Sequence, residues 1–513
     1  MITKLIQRID NSKYRYIGYF LTGLFSSLAF APIFFTLALL PLFLLYTYSI
    51  RFESNLKKLF LSNLLMFLGH FMGGCYWICI SLTIDLKSHF WLIPFALTLL
   101  PAYLALYPTL TAVLSKRFQP SYVAFTIGFA CVWTLMEVLR EFIITGFPWN
   151  ALGYVWANNI YFSQIASITG IYGLSFITIV IFTLITISIT EFKLLPLIIS
   201  IVIFIGNISF GYNRLKTEEV KYLDTKVLVV QANISQQLKW KADEKMNNVI
   251  KHLKLSRMAS KGDVIIWPES AFGYLVSLQD RFASNISGVI PENGFLITGA
   301  LRFHQENEKD DLKLWNSLIV ISNDGYVFDY YDKRHLVPFA EYIPLSKYIN
   351  LTKITDGQID FLEGEPTRTL VSLDKGRKFI PLICYESIFP HQNFERINQA
   401  NFIVMITNDG WFGNSSGPYQ HFYMSRIRAI EAGKPLIRAA NTGISAVIDG
   451  YGRILKQTKL NTEDVIYTNI PQEISKPTYF AQEMNKNKIT SILTYLLFIV
   501  IIGNAIIKRK KSL

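Results

Sequence analysis

Cys384 ends the apolar run of PLICYESIFP, residues 381–390, and Tyr385, Glu386 and Ser387 break the pattern at once. Glu269 does the same in IIWPES, directly after Ile265, Ile266 and Trp267. Lys333 lies in YYDKRHLVPFAEYIP, with Glu341 further along the same stretch. A thiol is mostly protonated at neutral pH and needs a base or a nearby cation to become a nucleophilic thiolate. A carboxylate whose pKa is raised by burial can take that proton. An ammonium can stabilise first the thiolate and then the oxyanion of a tetrahedral intermediate. Glu269, Lys333 and Cys384 are therefore the parts of an acyl-transfer site that needs no metal and no cofactor. Singly, each has a plainer use. Glu269 could favour a helix N-terminus, Lys333 could be solvated beside Asp332 and Arg334, and Cys384 could fill the core. Spacing alone does not bring the three together.

The other cysteines, Cys75, Cys79 and Cys131, lie in long apolar runs, where the residue behaves as a small hydrophobe. Cys75 and Cys79 are four apart, but no histidine or acidic cluster completes a zinc pattern, so no metal site is expected. Cys384 has no evident disulfide partner.

The elements that must position these groups come in two kinds. The chain has 513 residues, of which 51% are hydrophobic and 14% aromatic. With its positive mean hydropathy, that composition calls for membrane segments. Apolar stretches of spanning length, about 17–25 residues, occur near 16–31, 33–50, 59–81, 90–114, 121–139, 164–190 and 194–211, with another near 489–507. The expected organisation is a transmembrane domain of seven helices over 1–215, a globular domain over 222–475, a closing span at 488–508 and a basic tail at 509–513. The formal net charge of +13 falls largely at the edges of the spans, which argues against nucleic-acid binding.

Lys and Arg flanking the spans set their orientation. Lys4, Arg8, Lys13 and Arg15 precede the first, Arg51, Lys57 and Lys58 follow the second, and Lys116 and Arg117 follow the fourth. Lys508, Arg509, Lys510 and Lys511 close the chain, whereas 82–89 holds only Lys87 and 141–163 has no basic residue. Both termini are then expected in the cytoplasm and the globular domain outside. The outer loop TGFPWNALGY, 145–154, suits either an interfacial aromatic belt or the floor of a lipid access path. The spans hold few ionisable residues of the kind that mark transport pathways. His70 and Glu137 are exceptions, and Glu137 is expected to pair locally with Arg140 three residues on.

In the globular part, KVLVVQANI (226–234), DVIIWPES (263–270), FLITGAL (295–301), SLIVISNDG (317–325), KFIPLICYES (378–387) and NFIVMITNDGWFG (401–413) have the short, β-branched, turn-bounded character of buried strands. Helical patterns lie between some of them, notably at 241–260 and 418–434. Strands mixed with helices indicate a layered α/β sandwich, with chemistry at the strand ends.

WPES, YDKRHLVPFAEYIP and CYES, in that order, resemble the Glu–Lys–Cys signature of the nitrilase, or carbon–nitrogen hydrolase, superfamily. LAFAP at 28–32, GFPW at 146–149, NDGWFG at 408–413 and the flanking spans extend the likeness over nearly the whole chain, which resembles the membrane-embedded apolipoprotein N-acyltransferase branch. The resemblance implies about eight membrane spans and an αββα nitrilase-like domain facing the periplasm of a bacterial inner membrane. It implies that Cys384 takes the sn-1 acyl chain of a phospholipid, typically phosphatidylethanolamine, as a thioester. The α-amine of a diacylglyceryl-cysteine at an apolipoprotein's N-terminus then receives it as an amide. Glu269 would be the base and Lys333 the oxyanion stabiliser, with the Tyr385 N–H as a second donor. Glu341 and Glu386 match further acidic positions, and Trp240 and Trp411 match aromatic positions near the site. Ala340 departs from the glycine expected before Glu341. A membrane-tethered amidase acting on a small amide would use the same triad, and a non-catalytic scaffold or transporter is the rival of another class.

Overall fold

The computed structural model describes residues 2–486 apart from 119–120, 217, 280, 283, 306, 308–310, 345–352, 354–358, 368, 375, 393 and 395. The expected closing span and basic tail lie outside the described residues. The chain forms two compact units, one helical and one built on β-sheets, with residues 80–86 belonging to the second.

The helical unit carries α1 (Ile2–Asp10), α2 (Arg15–Ser26), α3 (Leu39–Phe52), α4 (Leu56–Cys75), α5 (Ile93–Ser115), α6 (Tyr122–Phe142), α7 (Ala166–Glu191) and α8 (Leu194–Leu215). Each expected span before the globular part thus contains a helix. Among the described residues, however, four helical stretches are long and apolar enough to cross a membrane: 86–118, 122–142, 162–191 and 194–215. At 1.5 Å per residue, α2 and α3 fall short of a hydrocarbon core of about 30 Å. The chain between them runs through short 3₁₀ turns around Pro32, which cannot continue a helix. Helix α4 is 20 residues long but opens on Lys57 and Lys58.

Small residues let these helices close on one another. A Cβ at Gly23 of α2 would lie 1.6 Å from the Met66 carbonyl oxygen of α4, so the contact requires glycine. Arg15, counted above as a flanking charge, is instead buried on Asp10 (3.2 Å) and Glu53 (2.7 Å). His70 is a satisfied core histidine, with Nδ1 2.7 Å from Ser26 Oγ and its ring against Phe30, Phe67 and Phe71. Glu137 and Arg140 interact electrostatically as expected, but no hydrogen bond joins them among the described residues. Glu137 Oε1 accepts from Trp133 Nε1 (2.9 Å) and from the Leu152 amide (2.8 Å), while the Arg140 guanidinium lies over the Phe71 ring. Glu137 thereby pins the 145–154 loop to α6. Trp149 in that loop is buried against Phe147 and Trp77, and Tyr154 is buried too, so neither belongs to an exposed aromatic belt.

The second unit is a sandwich of two sheets. One runs β13 (Asp464–Pro471), β1 (Tyr222–Gln231), β2 (Val264–Ile266), β4 (Phe295–His304), β5 (Lys313–Ser322), β6 (Val327–Asp332), with β3 (Phe272–Val276) beside β4. The other runs β12 (Ile454–Gln457), β11 (Ala446–Ile448), β10 (Leu436–Ala440), β9 (Phe402–Thr407), β8 (Lys378–Ile383), β7 (Val371–Ser372). Strands β1, β2 and β4 are parallel, as are β8, β9 and β10. Val227, Val229, Val264 and Ile266 meet Ile383, Val404, Ile406 and Ile437 in the core between the sheets. The alternate residues Leu228, Val230 and Ile265 pack under α9 (Lys245–Ser256). Ile403 and Met405 pack with α10 (Gly417–Ala432) and α11 (Tyr479–Lys486). Helices therefore cover both outer faces, giving an αββα arrangement. Burial on both faces explains why the central strands read as continuous apolar runs rather than alternating ones.

Candidate active site

The three candidate residues leave the ends of different strands. Glu269 follows β2, Lys333 follows β6 and Cys384 follows β8. Gly299 of β4 lets the Glu269 turn approach, because a Cβ there would lie 2.6 Å from the Glu269 Cα. Cys384 takes a left-handed conformation (φ +50°), unusual for a residue with a side chain, at the first position of a short 3₁₀ turn.

The three groups come together in the interior. Lys333 is 1% exposed, with Nζ 2.9 Å from Glu341 Oε2 and 3.8 Å from Glu269 Oε1. Burial alone would lower the Lys333 pKa, but Glu341, Glu269 and Cys384 raise it above its ordinary value, so it stays an ammonium. Burial pushes the Cys384 thiol up, Glu269 pushes it further, and Lys333 opposes both. The resting group is therefore a thiol, and a nearby base has work to do. Glu269, the candidate base, accepts from the Asn408 amide (2.9 Å) on Oε2 and from Asn316 Nδ2 (2.9 Å) on Oε1.

Glu341 accepts from the Val337 amide (2.7 Å) in addition to Lys333. The left-handed residue of its turn is Phe339 (φ +64°), not Ala340, so the alanine where glycine was expected meets no backbone penalty. Glu386 is held by a different set of donors. Its Oε1 accepts from Tyr331 Oη (2.6 Å) and from the Arg334 (2.8 Å) and His335 (3.3 Å) amides, and its Oε2 accepts from the Ile383 amide (2.8 Å). It ties the lysine segment to the nucleophile turn. Tyr385 is buried with its ring against Phe389 and His335. Trp240 and Trp411 are half-buried, and among the described residues neither indole makes a hydrogen bond or ring contact with the triad. Lys239, the neighbour of Trp240, is the residue that does reach the site. It is buried and donates to the Glu269 carbonyl (2.8 Å). Burial draws its pKa down to about 8 against the pull of Glu269 and Cys384.

Asn316 is the site residue that the sequence pattern conceals. Its Nδ2 bridges Glu269 Oε1 (2.9 Å) and Glu341 Oε1 (2.7 Å), and its carbonyl accepts from the Lys333 amide (2.8 Å). The available signal was a polar residue in the middle of a strand whose other positions are mostly apolar, in KLWNSLIVIS. Asn316→Asp keeps the shape but places a third carboxylate beside two others. We expect about a 100-fold fall in the reactivity of the Cys384 thiol, the scale of losing one preorganised donor, measured by iodoacetamide alkylation and peptide mass mapping.

No group of three or more His, Cys, Asp or Glu able to hold a metal occurs among the described residues. The chain matches the Carbon-nitrogen hydrolase family over residues 226–478 and the Apolipoprotein N-acyltransferase N-terminal domain over residues 22–184. It is 39% identical over 487 residues to the apolipoprotein N-acyltransferase of Rickettsia prowazekii, covering 93% of this chain and 96% of that protein. The apolipoprotein N-acyltransferase of Rickettsia bellii is 38% identical, with 96% and 98% covered. That of Rhodopseudomonas palustris is 35% identical, with 81% and 80% covered. Both the sandwich that holds Glu269, Lys333 and Cys384 and the helical region before it are matched, and the chain belongs to the apolipoprotein N-acyltransferase family.

Proposed function

We propose that this protein N-acylates the amino-terminal diacylglyceryl-cysteine of apolipoproteins, in two steps through a thioester on Cys384. In the first, Glu269 takes the thiol proton and the sulfur attacks the sn-1 ester carbonyl of a phospholipid, phosphatidylethanolamine being the proposed donor. The Lys333 ammonium and the Tyr385 N–H stabilise the oxyanion. The ester C–O bond breaks, Glu269 returns its proton to the leaving oxygen, and a lysophospholipid departs. In the second, the α-amine of the lipidated cysteine attacks the thioester, the C–S bond breaks and an amide forms. Glu269 relays the amine proton to the departing thiolate.

The observation that carries this assignment is the match of the region before the sandwich to the Apolipoprotein N-acyltransferase N-terminal domain over residues 22–184, and the buried Lys333 ammonium between Glu269 and Glu341 supports thiol chemistry at Cys384. A lipid donor and a lipidated acceptor both live in a bilayer, which gives the apolar helices a purpose. The apolar runs at 16–31, 33–50 and 59–81, which are longer than the short helices α2 and α3 within the first two, would complete the set of spans with the run at 489–507, to about eight. The flanking charges would place the catalytic unit on the outer face of the inner membrane. A small-amide hydrolase has no need of the N-terminal region matched over 22–184, and the relatives named above favour the acyltransferase over it.

Intact-mass analysis after incubation with phosphatidylethanolamine tests the first step. An acyl-sized gain is expected that neutral hydroxylamine removes and Cys384→Ala abolishes. An adduct that survives in the alanine variant would move the nucleophile elsewhere.

A further inference from the structure

Beneath the nucleophile lies a second buried polar cluster that the two steps above leave unused. Asp409 follows β9, His421 sits on α10 and Arg438 on β10, and they are 1%, 1% and 0% exposed. Asp409 Oδ1 lies 2.8 Å from His421 Nδ1, and Asp409 Oδ2 accepts from an Arg438 terminal nitrogen (2.8 Å). Arg438 also donates to the Ile444 carbonyl (2.5 Å) and stands 3.2 Å from His421 Nδ1. Burial alone would raise the Asp409 pKa, but Arg438 and His421 hold it well below the usual carboxylate range. The carboxylate is packed close against Gly443, where a Cβ would lie 2.2 Å from Oδ2.

The other side of the His421 ring reaches the nucleophile. Its Nε2 lies 3.1 Å from the Cys384 carbonyl oxygen and 3.0 Å from Ser387 Oγ. Asp409 Oδ1 and the Cys384 carbonyl can only accept, so a ring that bonds the carbonyl must present its Nε2–H to it, with Ser387 Oγ accepting alongside. Thr407 adds a second hold on the carboxylate, since its hydroxyl donates to Asp409 Oδ1 (3.0 Å). Cys384 needs such restraint, because its φ of +50° is costly for a residue with a Cβ and persists only when its surroundings enforce it.

We propose that His421, oriented by Asp409 and Arg438, is a positioning residue for the nucleophile. Its Nε2–H bond to the Cys384 carbonyl fixes the left-handed turn that sets the direction of the sulfur and of the Tyr385 N–H. This role rests on Cys384 being the acylated residue. It predicts an effect on the chemical step and none on lipid binding, because His421 is buried under the turn rather than beside the substrate.

The test compares His421→Gln with His421→Asn in the full-length protein, using phosphatidylethanolamine in mixed micelles as donor. Gln carries an amide N–H₂ to about the place of Nε2, and Asn is one methylene short. The acylation rate of Cys384 is read by rapid-quench intact mass over a range of lipid concentrations. Alkylation of Cys384 by iodoacetamide, followed by peptide mapping, runs alongside. His421→Gln is expected to retain most of the acylation rate. His421→Asn should lose about 100-fold with KM unchanged, the size of effect that a misplacement of about 1 Å produces, and its alkylation should slow in parallel. His421→Ala should match Asn if it folds, and the amide pair decides the matter if it does not. Equal rates for Gln and Asn, or a loss confined to KM, would overturn the proposal. No adduct on wild-type Cys384 would instead overturn the nucleophile assignment, and the iodoacetamide ratio would still report whether His421 positions the thiol.

Discussion

Lys333→Met is expected to leave Cys384 without an acyl adduct over a period in which the wild-type protein is fully acylated. Methionine matches the length of lysine and lacks its charge, so the change isolates the ammonium. In the native site that ammonium lies 2.9 Å from Glu341 and 3.8 Å from Glu269, and Asn316 bridges the two acids from the other side. Without it, two buried carboxylates lose the ammonium that lies against both, and breaking a buried ion pair in this way costs about 3–5 kcal/mol. The site escapes by protonating one of them, and a protonated Glu269 cannot accept the thiol proton. The oxyanion also loses its cationic partner, itself worth about 10²–10³ in rate. Together these place the acylation rate at least about 10³-fold below wild type. Lys333→Arg should not rescue it, because a planar fork does not fit a site built for a point charge. Rapid-quench intact mass measures the rate and a thermal melt the stability. Acylation at the wild-type rate by the methionine variant would remove Lys333 from the chemistry.

Glu386→Gln should be nearly as damaging for a different reason. Glu386 is 2% exposed, and its two oxygens accept from Tyr331, Arg334, His335 and Ile383. Burial pushes its carboxyl up from the ordinary value while those donors and Lys333 pull against the shift. A glutamine offers one accepting oxygen and turns an N–H₂ toward donors on the other side. Either the Ile383 amide or the group on Oε1 is left facing it, and each unsatisfied buried donor costs about 1–3 kcal/mol. Because Ile383 precedes Cys384 and Arg334 follows Lys333, the loosened contact separates nucleophile from cation. The expected result is a lower melting temperature and about a 100-fold slower acylation, with KM for the phospholipid unchanged. A variant with wild-type acylation and only a lower melting temperature would reduce Glu386 to a structural clamp.

The six runs taken as strands became β1, β2, β4, β5, β8 and β9, because strands buried on both faces keep a continuous apolar signal. Strands β3, β6, β7 and β10 to β13 lack that signal. LIRAA of β10 carries Arg438 in its middle, and DVIYTNIP of β13 mixes polar with apolar positions. Arg15 shows the same limit in the helical unit, since a count of flanking charges cannot tell a solvated arginine from one buried on Asp10 and Glu53.

Sequence by itself determined the chemical identities and the local placement of the candidate residues Glu269, Lys333 and Cys384. A residue's type is fixed, and the abrupt change from apolar to polar at Glu269 and Cys384 is a property of a few neighbours. What only the tertiary structure decided is who shares whom. The Asn408 amide reaches Glu269 across 139 residues, and His421 reaches the Cys384 carbonyl across 37. Those meetings depend on sheet order and on how the two sheets stack, and neither leaves a periodicity in the chain. The role of Asn316 and the cluster under Cys384 were therefore invisible until the strand ends converged, because a polar side chain in an apolar run shows its partner only in three dimensions.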